Sequence, residues 1–159
     1  MTALATHVPG ELDIGIGGLW VRLRTDSPDF VAEMSSRFAG FLGHVAQPDH
    51  VFDITLRPFR DIDADDEDTI DAHEDGVQVT RNGPLWQVHR GDFHAEWDPL
   101  LRHGHARMVP SPYSLDSVIR ILHTLILAEQ GGMLMHASSV AWGGRAFVFT
   151  GVSGAGKTT

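Results

Sequence analysis

The stretch that decides the fold reads Arg145-Ala146-Phe147-Val148-Phe149-Thr150-Gly151-Val152-Ser153-Gly154-Ala155-Gly156-Lys157-Thr158. From Gly151 onward it fits G-x-x-x-x-G-K-[ST], the spacing of a phosphate-binding loop, at every fixed position. The residues before Gly151 form a short apolar run, which predicts a strand that is covered on both faces. A buried strand that leads directly into the loop is the context that a true phosphate loop requires.

The residue types of this loop suit a polyphosphate and its metal ion. Glycines let successive backbone N–H groups point inward and form an anion-binding concavity at the start of a helix. Lys157, the only lysine of the chain, is predicted to reach the β- and γ-phosphates of ATP. The hydroxyl of Thr158 is predicted to bind Mg²⁺. The predicted nucleotide-binding residues are Gly151, Val152, Ser153, Gly154, Ala155, Gly156, Lys157, Thr158 and Thr159.

The sequence reaches Thr159 at the point where the helix after a phosphate loop begins. No later strand follows that could supply a carboxylate for Mg²⁺ or a pocket for the nucleotide base. We therefore expect the chain to be the N-terminal part of a longer protein and to be catalytically inactive alone.

The segment before the loop strand predicts an antiparallel partner strand. Gly143-Gly144 is a hairpin-type glycine pair, so a strand at 133–142 must run antiparallel to the strand at 145–150. Most nucleotide-binding folds begin instead with a βαβ unit, in which the paired strands are parallel. An antiparallel partner strand therefore argues against the families whose nucleotide-binding core begins with a βαβ unit.

A helix and a domain boundary are predicted upstream of this hairpin. Ser114 can cap a helix at 114–130, whose buried side comprises Leu115, Val118, Ile119, Leu122, Leu125 and Ile126. Ser111-Pro112 marks a boundary between an N-terminal domain at 1–110 and an incomplete domain at 111–159.

The N-terminal region predicts a helix on a mostly antiparallel sheet. Ser27-Pro28 starts a helix whose apolar stripe extends to Leu42, and Gly17-Gly18 joins two strands in a hairpin. The predicted strands are 12–16, 19–24, 51–58, 77–80, 86–90 and 92–97. The fold class is therefore α+β in the N-terminal domain, followed by the start of an α/β phosphate-loop core.

The composition excludes several classes of protein. The net charge of −9 argues against nucleic acid and membrane partners, because binding to either depends on clustered Lys and Arg. With no cysteine, the chain has neither disulfides nor a cysteine-based metal site. The first ten residues lack the features of a secretion signal, so we expect a cytoplasmic location. The sequence leaves open whether the chain forms a homo-oligomer.

The residues from Leu134-Met135-His136-Ala137-Ser138-Ser139-Val140 through Gly143-Gly144-Arg145 to the loop resemble the HPr kinase/phosphorylase superfamily. The resemblance covers 27 residues, 133–159, and includes a spacing of 21 residues between His136 and Lys157. It implies a fold related to that of ATP-dependent phosphoenolpyruvate carboxykinase. It also implies transfer of the γ-phosphoryl group of ATP to a Ser or Thr of a protein or peptide substrate. Ala137 and Thr158-Thr159 differ from the classical kinases, so the chain looks closer to the broader HPr-kinase-like group.

Two interpretations of His136 stay open. It could be a buried strand histidine that is hydrogen-bonded to a backbone carbonyl. The resemblance implies instead a catalytic position beside the phosphate site together with Lys157, where the imidazole would orient a carboxylate or a water molecule.

Two other functions compete with a kinase. The loop sequence is also common in ATPases of the ABC type, although such domains reach their loop after far fewer residues. A noncatalytic binding module, in which the nucleotide acts only as a switch, is the other alternative.

Two further patterns are weak metal signals. The acidic run at 61–75 opens like a calcium loop but lacks the required glycine and glutamate, so a solvated loop is the better interpretation. His103-Gly104-His105 offers two histidines without a fixed third ligand.

Overall fold

The computed structural model describes residues 10–58 and 76–152. Within these ranges the chain has a mixed α/β fold with a mostly antiparallel sheet and two α-helices, which confirms the predicted class at this level. The chain divides into two compact units, Met1–Leu122 and His123–Thr159. The acidic run at 61–75 lies outside the described residues.

The strands of the first unit form one sheet of eight strands in the order β3-β1-β2-β4-β8-β7-β6-β5. The second unit has a separate sheet of two strands, β9 and β10. The strand bounds are β1 Gly10–Ile16, β2 Leu19–Thr25, β3 Leu42–Gly43, β4 His50–Leu56, β5 Gln78–Asn82, β6 Leu85–Arg90, β7 Phe93–Asp98, β8 His103–Met108, β9 Ser138–Trp142 and β10 Arg145–Phe149. The helices are α1 Pro28–Arg37 and α2 Pro112–Glu129.

The first hairpin forms as its sequence predicts. Gly17 and Gly18 have φ angles of 63° and 86°, which a two-residue hairpin turn requires. Leu19, Val21 and Leu23 alternate with half-buried residues and are all buried. The turn and the alternation together fix the register in which Ile16 pairs with Leu19.

Helix α1 begins where predicted and ends earlier. The Ser27 hydroxyl accepts a hydrogen bond from the Phe30 N–H at 3.3 Å, and Pro28 occupies the first turn. The predicted apolar stripe to Leu42 is wrong beyond Phe38, because the helix ends at Arg37. Leu42 instead pairs with β1, which satisfies backbone groups at that edge of the sheet.

The centre of the large sheet is parallel, and one of its strands was not predicted. β4 pairs in parallel with both β2 and β8, whereas the other strand pairs are antiparallel. β8 shows little hydrophobic alternation because its core positions include Gly104 and Ala106. A Cβ atom on Gly104 would collide with the Phe52 ring and lie 2.6 Å from the carbonyl oxygen of Glu96. Because the Phe52 ring fills this space, β8 has a small residue where a strand usually has a large apolar one.

Helix α2 contributes a continuous buried stripe. Leu115, Val118, Ile119, Leu122 and Ile126 are buried as predicted, whereas Leu125 of the predicted set is only half-buried. The predicted cap at Ser114 is wrong, because the helix begins at Pro112 and Ser114 lies inside it.

The Ser114 hydroxyl donates a hydrogen bond to the Asp92 carboxylate, which also accepts from the Arg90 guanidinium. Arg90 reaches the Ser117 hydroxyl as well, at 3.1 Å. This network joins the β6–β7 turn to the first turns of α2.

The two faces of the large sheet differ in polarity. One face contributes core residues such as Ile14, Phe52 and Trp97. The other face has a row of paired positions across neighbouring strands, occupied by Glu11, Arg24, Asp53, His105, Glu96 and Gln87. Charged and polar side chains therefore cover one side of the first unit.

Candidate functional site

The hairpin that leads into the phosphate loop has the predicted antiparallel geometry. Gly143 and Gly144 have φ angles of 57° and 72°, so both glycines of the turn adopt the left-handed conformation. The pairing runs from Arg145 opposite Trp142 to Phe149 opposite Ser138. The chain therefore enters Gly151 from the open end of the hairpin, where Phe149 pairs with Ser138.

His136 lies just outside this paired region. β9 begins at Ser138, later than the predicted start of the strand at 133, and His136 precedes it in an irregular, exposed segment. The interpretation of His136 as a buried strand histidine is therefore wrong. Extending the observed register by two residues aligns His136 with Gly151, the first glycine of the loop.

The loop itself is described only at its start. Gly151 and Val152 are exposed and continue from β10 without regular structure. The other predicted nucleotide-binding residues, 153–159, lie outside the described residues, including Lys157 and Thr158.

The prediction that the loop strand is covered on both faces is wrong. All five residues of β10 are exposed, and Phe149 reaches 54% exposure. The physical reason is the small size of the sheet, since no third described strand pairs with β9 or β10. The apolar run predicts the strand correctly but not its surroundings.

Ser138 is a residue of this hairpin that the sequence interpretation missed. Its hydroxyl oxygen is buried, and among the described residues it has no hydrogen-bond partner. Side chains alternate along a strand, so Ser138 and Ser139 of β9 point to opposite sides of the hairpin. A buried hydroxyl without a partner is costly, so it marks a position where a polar group is expected.

The two histidines of β8 do not form a metal site. His103 Nε2 lies 2.9 Å from Asp53 Oδ2, and His105 Nε2 lies 2.8 Å from Thr55 Oγ1. Burial lowers the pKa of His105, and the neighbouring Arg107 lowers it further. Within 10–58 and 76–152, no three His, Asp or Glu side chains are grouped to hold a metal ion.

No protein-family model matches the chain, and no curated protein and no solved structure matches it significantly. No helix among the described residues is long and apolar enough to cross a membrane. The functional interpretation therefore depends on residues 133–159 and on the geometry of the β9–β10 hairpin.

Proposed function

We propose that the chain binds ATP with Mg²⁺ through residues 151–159 and belongs to an HPr-kinase-like phosphotransferase. The proposed reaction transfers the γ-phosphoryl group of ATP to a Ser or Thr of a protein or peptide. The observation that carries the proposal is the phosphate-loop motif from Gly151 to Thr158, which directly follows a β-strand. The hairpin of β9 and β10 supports it, because its last pair, Ser138 with Phe149, lies two residues from both His136 and Gly151.

The register matters because it relates an imidazole to the start of the phosphate loop. An imidazole near the start of the loop could orient a water molecule or a carboxylate beside the γ-phosphate. The exposure of His136 supports this role, since the ring is accessible to a ligand.

The residues of the loop would bind the phosphates and the metal ion. Backbone N–H groups would bind the phosphate oxygens, Lys157 would neutralise charge on the β- and γ-phosphates, and Thr158 would hold Mg²⁺. The second unit contains a single acidic residue, Glu129. Phosphoryl transfer needs carboxylates for the metal and the nucleophile, so we expect this chain to bind ATP without turnover.

Nucleotide binding is tested by calorimetric titration of the 159-residue chain with ATP and Mg²⁺. We expect Lys157→Ala to weaken the affinity at least tenfold, because the loop loses its cation. Arg145→Ala is the matched control, since it removes one positive charge from the exposed start of β10. Equal affinity of Lys157→Ala and the unmodified chain would contradict the proposed loop.

The role of His136 is tested by NMR of the histidine rings. We expect the His136 ring resonances to shift when a nonhydrolysable ATP analogue and Mg²⁺ are added. The control within the same spectrum is His44, whose side chain is 93% exposed and which belongs to the first unit. His136→Ala should lower turnover in an active form of the protein while leaving ATP affinity within about twofold of the original. An unmoved His136 resonance at saturating nucleotide would exclude a place beside the phosphates.

The buried Ser138 hydroxyl gives a further test of the same site. We expect Ser138→Ala to reduce ATP affinity more than Ser139→Ala, because the Ser138 hydroxyl is buried without a partner among the described residues whereas Ser139 is exposed. Equal effects of the two substitutions would assign Ser138 no part in the site.

The alternative functions predict different products. A transport-type or other phosphate-loop ATPase would release inorganic phosphate without a seryl acceptor. A nucleotide-switched module would bind ATP and form neither free phosphate nor phosphoserine. Assays for phosphoserine and free phosphate, run on an active form of the protein, distinguish these outcomes from a kinase.

A further inference from the structure

The first unit has an open pocket of about 510 Å³ at the start of β4. Three arginines from two parts of the chain line it, namely Arg22 and Arg24 of β2 and Arg102 just before β8. The other lining groups include Gln47 and Asp49 of the loop before β4. All of these residues belong to the first unit, whereas residues 151–159 belong to the second.

The hydrogen bonds of the arginines leave many donors unused. Arg22 is held by Asp13 through bonds of 2.7 and 2.9 Å, and its Nη2 also reaches the Val45 carbonyl oxygen. Arg24 donates its Nε–H to Glu11 at 3.0 Å, and its two Nη groups have no acceptor among the described residues. An arginine carries five N–H donors and stays charged at any working pH.

Arg102 is the least satisfied of the three. Its guanidinium has no hydrogen bond or ion pair with any described residue, although its carbonyl oxygen accepts the Val51 N–H at 3.0 Å. The only acidic group among the pocket-lining residues, Asp49, already accepts the Trp20 N–H at 2.8 Å. The pocket therefore contains guanidinium donors in excess of the acceptors that face it.

The backbone of Arg102 adds a second observation. Its φ angle of 52° is the only positive φ of a non-glycine residue within 10–58 and 76–152. A side chain in this left-handed region costs free energy that glycine would avoid. Strained residues of this kind are concentrated at binding sites, where the surrounding structure holds them.

We propose that this pocket binds an oxyanion, a carboxylate or phosphate group, between the guanidinium groups of Arg102 and Arg24. The planar fork of arginine matches both groups through paired N–H donors. Hydrogen bonds to Asp13 and Glu11 orient Arg22 and Arg24 before a ligand arrives. The site goes beyond the proposed function, because ATP binding by the phosphate loop can fail while this pocket binds its anion.

The test is an NMR titration of the 159-residue chain at constant ionic strength, which separates specific binding from screening. The probes are inorganic phosphate, succinate and the capped peptide Gly-Gly-phosphoserine-Gly-Gly. We expect saturable shifts of the backbone amides at 47, 49–51 and 102–103. If phosphate or succinate binds more tightly than the peptide, the ligand is a small molecule. If the peptide binds at least tenfold more tightly than both free anions, the ligand is a protein. Shifts that rise without saturation for all three probes would overturn the proposal.

Substitutions at Arg102 make the test independent of folding. Arg102→Gly removes the guanidinium and suits the left-handed backbone, so we expect an unchanged or higher melting temperature with at least tenfold weaker binding. Arg102→Lys keeps the charge without the fork, and its affinity should fall between the two. Arg57→Ala is the control, because it removes one exposed charge just after β4, at the end opposite the pocket. Equal affinities of Arg102→Gly and Arg57→Ala would contradict the site.

Discussion

At the scale of single residues, Asp13 is the only buried carboxylate among the described residues, with 6% of its surface exposed. Two N–H groups of Arg22 and the backbone N–H of Val45 donate hydrogen bonds to it. The hydrogen bonds from Arg22 lower the pKa of Asp13 and outweigh burial, which acts in the opposite direction. The ionised form is therefore the form that stabilises the fold.

We expect Asp13→Asn to lower the free energy of unfolding by about 2 kcal/mol at neutral pH, because it weakens charged hydrogen bonds in a buried position. Urea unfolding followed by circular dichroism measures the change. Glu11→Gln is the control, since Glu11 pairs with Arg24 at a half-exposed position and should cost less than about 1 kcal/mol. A larger loss for Glu11→Gln than for Asp13→Asn would contradict this ranking.

The same carboxylate predicts a dependence of stability on pH. A depressed pKa in the folded state means that the stabilisation is complete above the unfolded value of about 3.9 and declines as pH falls through the folded value. We expect the stability difference between the original chain and Asp13→Asn to shrink between about pH 5 and pH 2. A difference that stays constant over this range would show that ionisation of Asp13 does not contribute.

At position 104 the space beside the backbone is too small for any residue with a Cβ atom. We expect Gly104→Ala to destabilise the chain by about 2 kcal/mol or more, since its Cβ atom would collide with Phe52 and the Glu96 carbonyl. Gly40→Ala is the control, because no atom lies within 4 Å of its added Cβ, and it should change stability by less than about 1 kcal/mol. Thermal unfolding of both variants measures the contrast, and equal melting temperatures would contradict it.

At the scale of elements, the start of α1 depends on one hydroxyl. We expect Ser27→Ala to cost about 1 kcal/mol, because the Phe30 N–H loses its acceptor. Ser36→Ala in the same helix is the control, since Ser36 is exposed and alanine favours helices. Urea midpoints of the two variants give the comparison. A loss at Ser36 as large as that at Ser27 would contradict the capping role of the Ser27 hydroxyl.

The elements that could be predicted from the sequence are those with local signals. Gly17-Gly18 and Gly143-Gly144 specify their turns, and Ser27 specifies the start of α1, since each acts on its immediate neighbours. β8 could not be predicted, because the need for glycine at position 104 arises from contact with Phe52, which is distant in the sequence. The parallel pairing of β4 with β2 and β8 likewise depends on distant contacts.

The candidate site could be predicted to a similar extent. The hairpin and its direction follow from the glycine pair, and the alignment of His136 with Gly151 then follows from the register. The exposure of β10 could not be predicted, because an apolar run gives the preference of a strand and not the layers that surround it. The arginine pocket was not predicted, because Arg102 meets Arg22 and Arg24 only after the strands pair.

At the scale of the whole molecule, local stability should differ between the two sheets. β4 and β8 lie in the centre of the eight-stranded sheet, whereas β9 and β10 form a sheet of two. An isolated two-stranded sheet is marginally stable in water. We expect the amides of β4 and β8 to exchange with deuterium at least a hundredfold more slowly than those of β9 and β10. Equal protection in the two sheets, measured by NMR, would contradict this order.

The contrast between two tryptophans provides an optical reporter for each unit. Trp97 is 1% exposed and belongs to the first unit, whereas Trp142 is 77% exposed and belongs to the second. Iodide quenches an indole only by collision, so it should remove the emission of Trp142 from the native chain while that of Trp97 survives. Fluorescence lifetimes recorded with iodide through a urea titration would then give the urea concentration at which Trp97 becomes accessible. This measurement follows the opening of the large sheet without any attached dye.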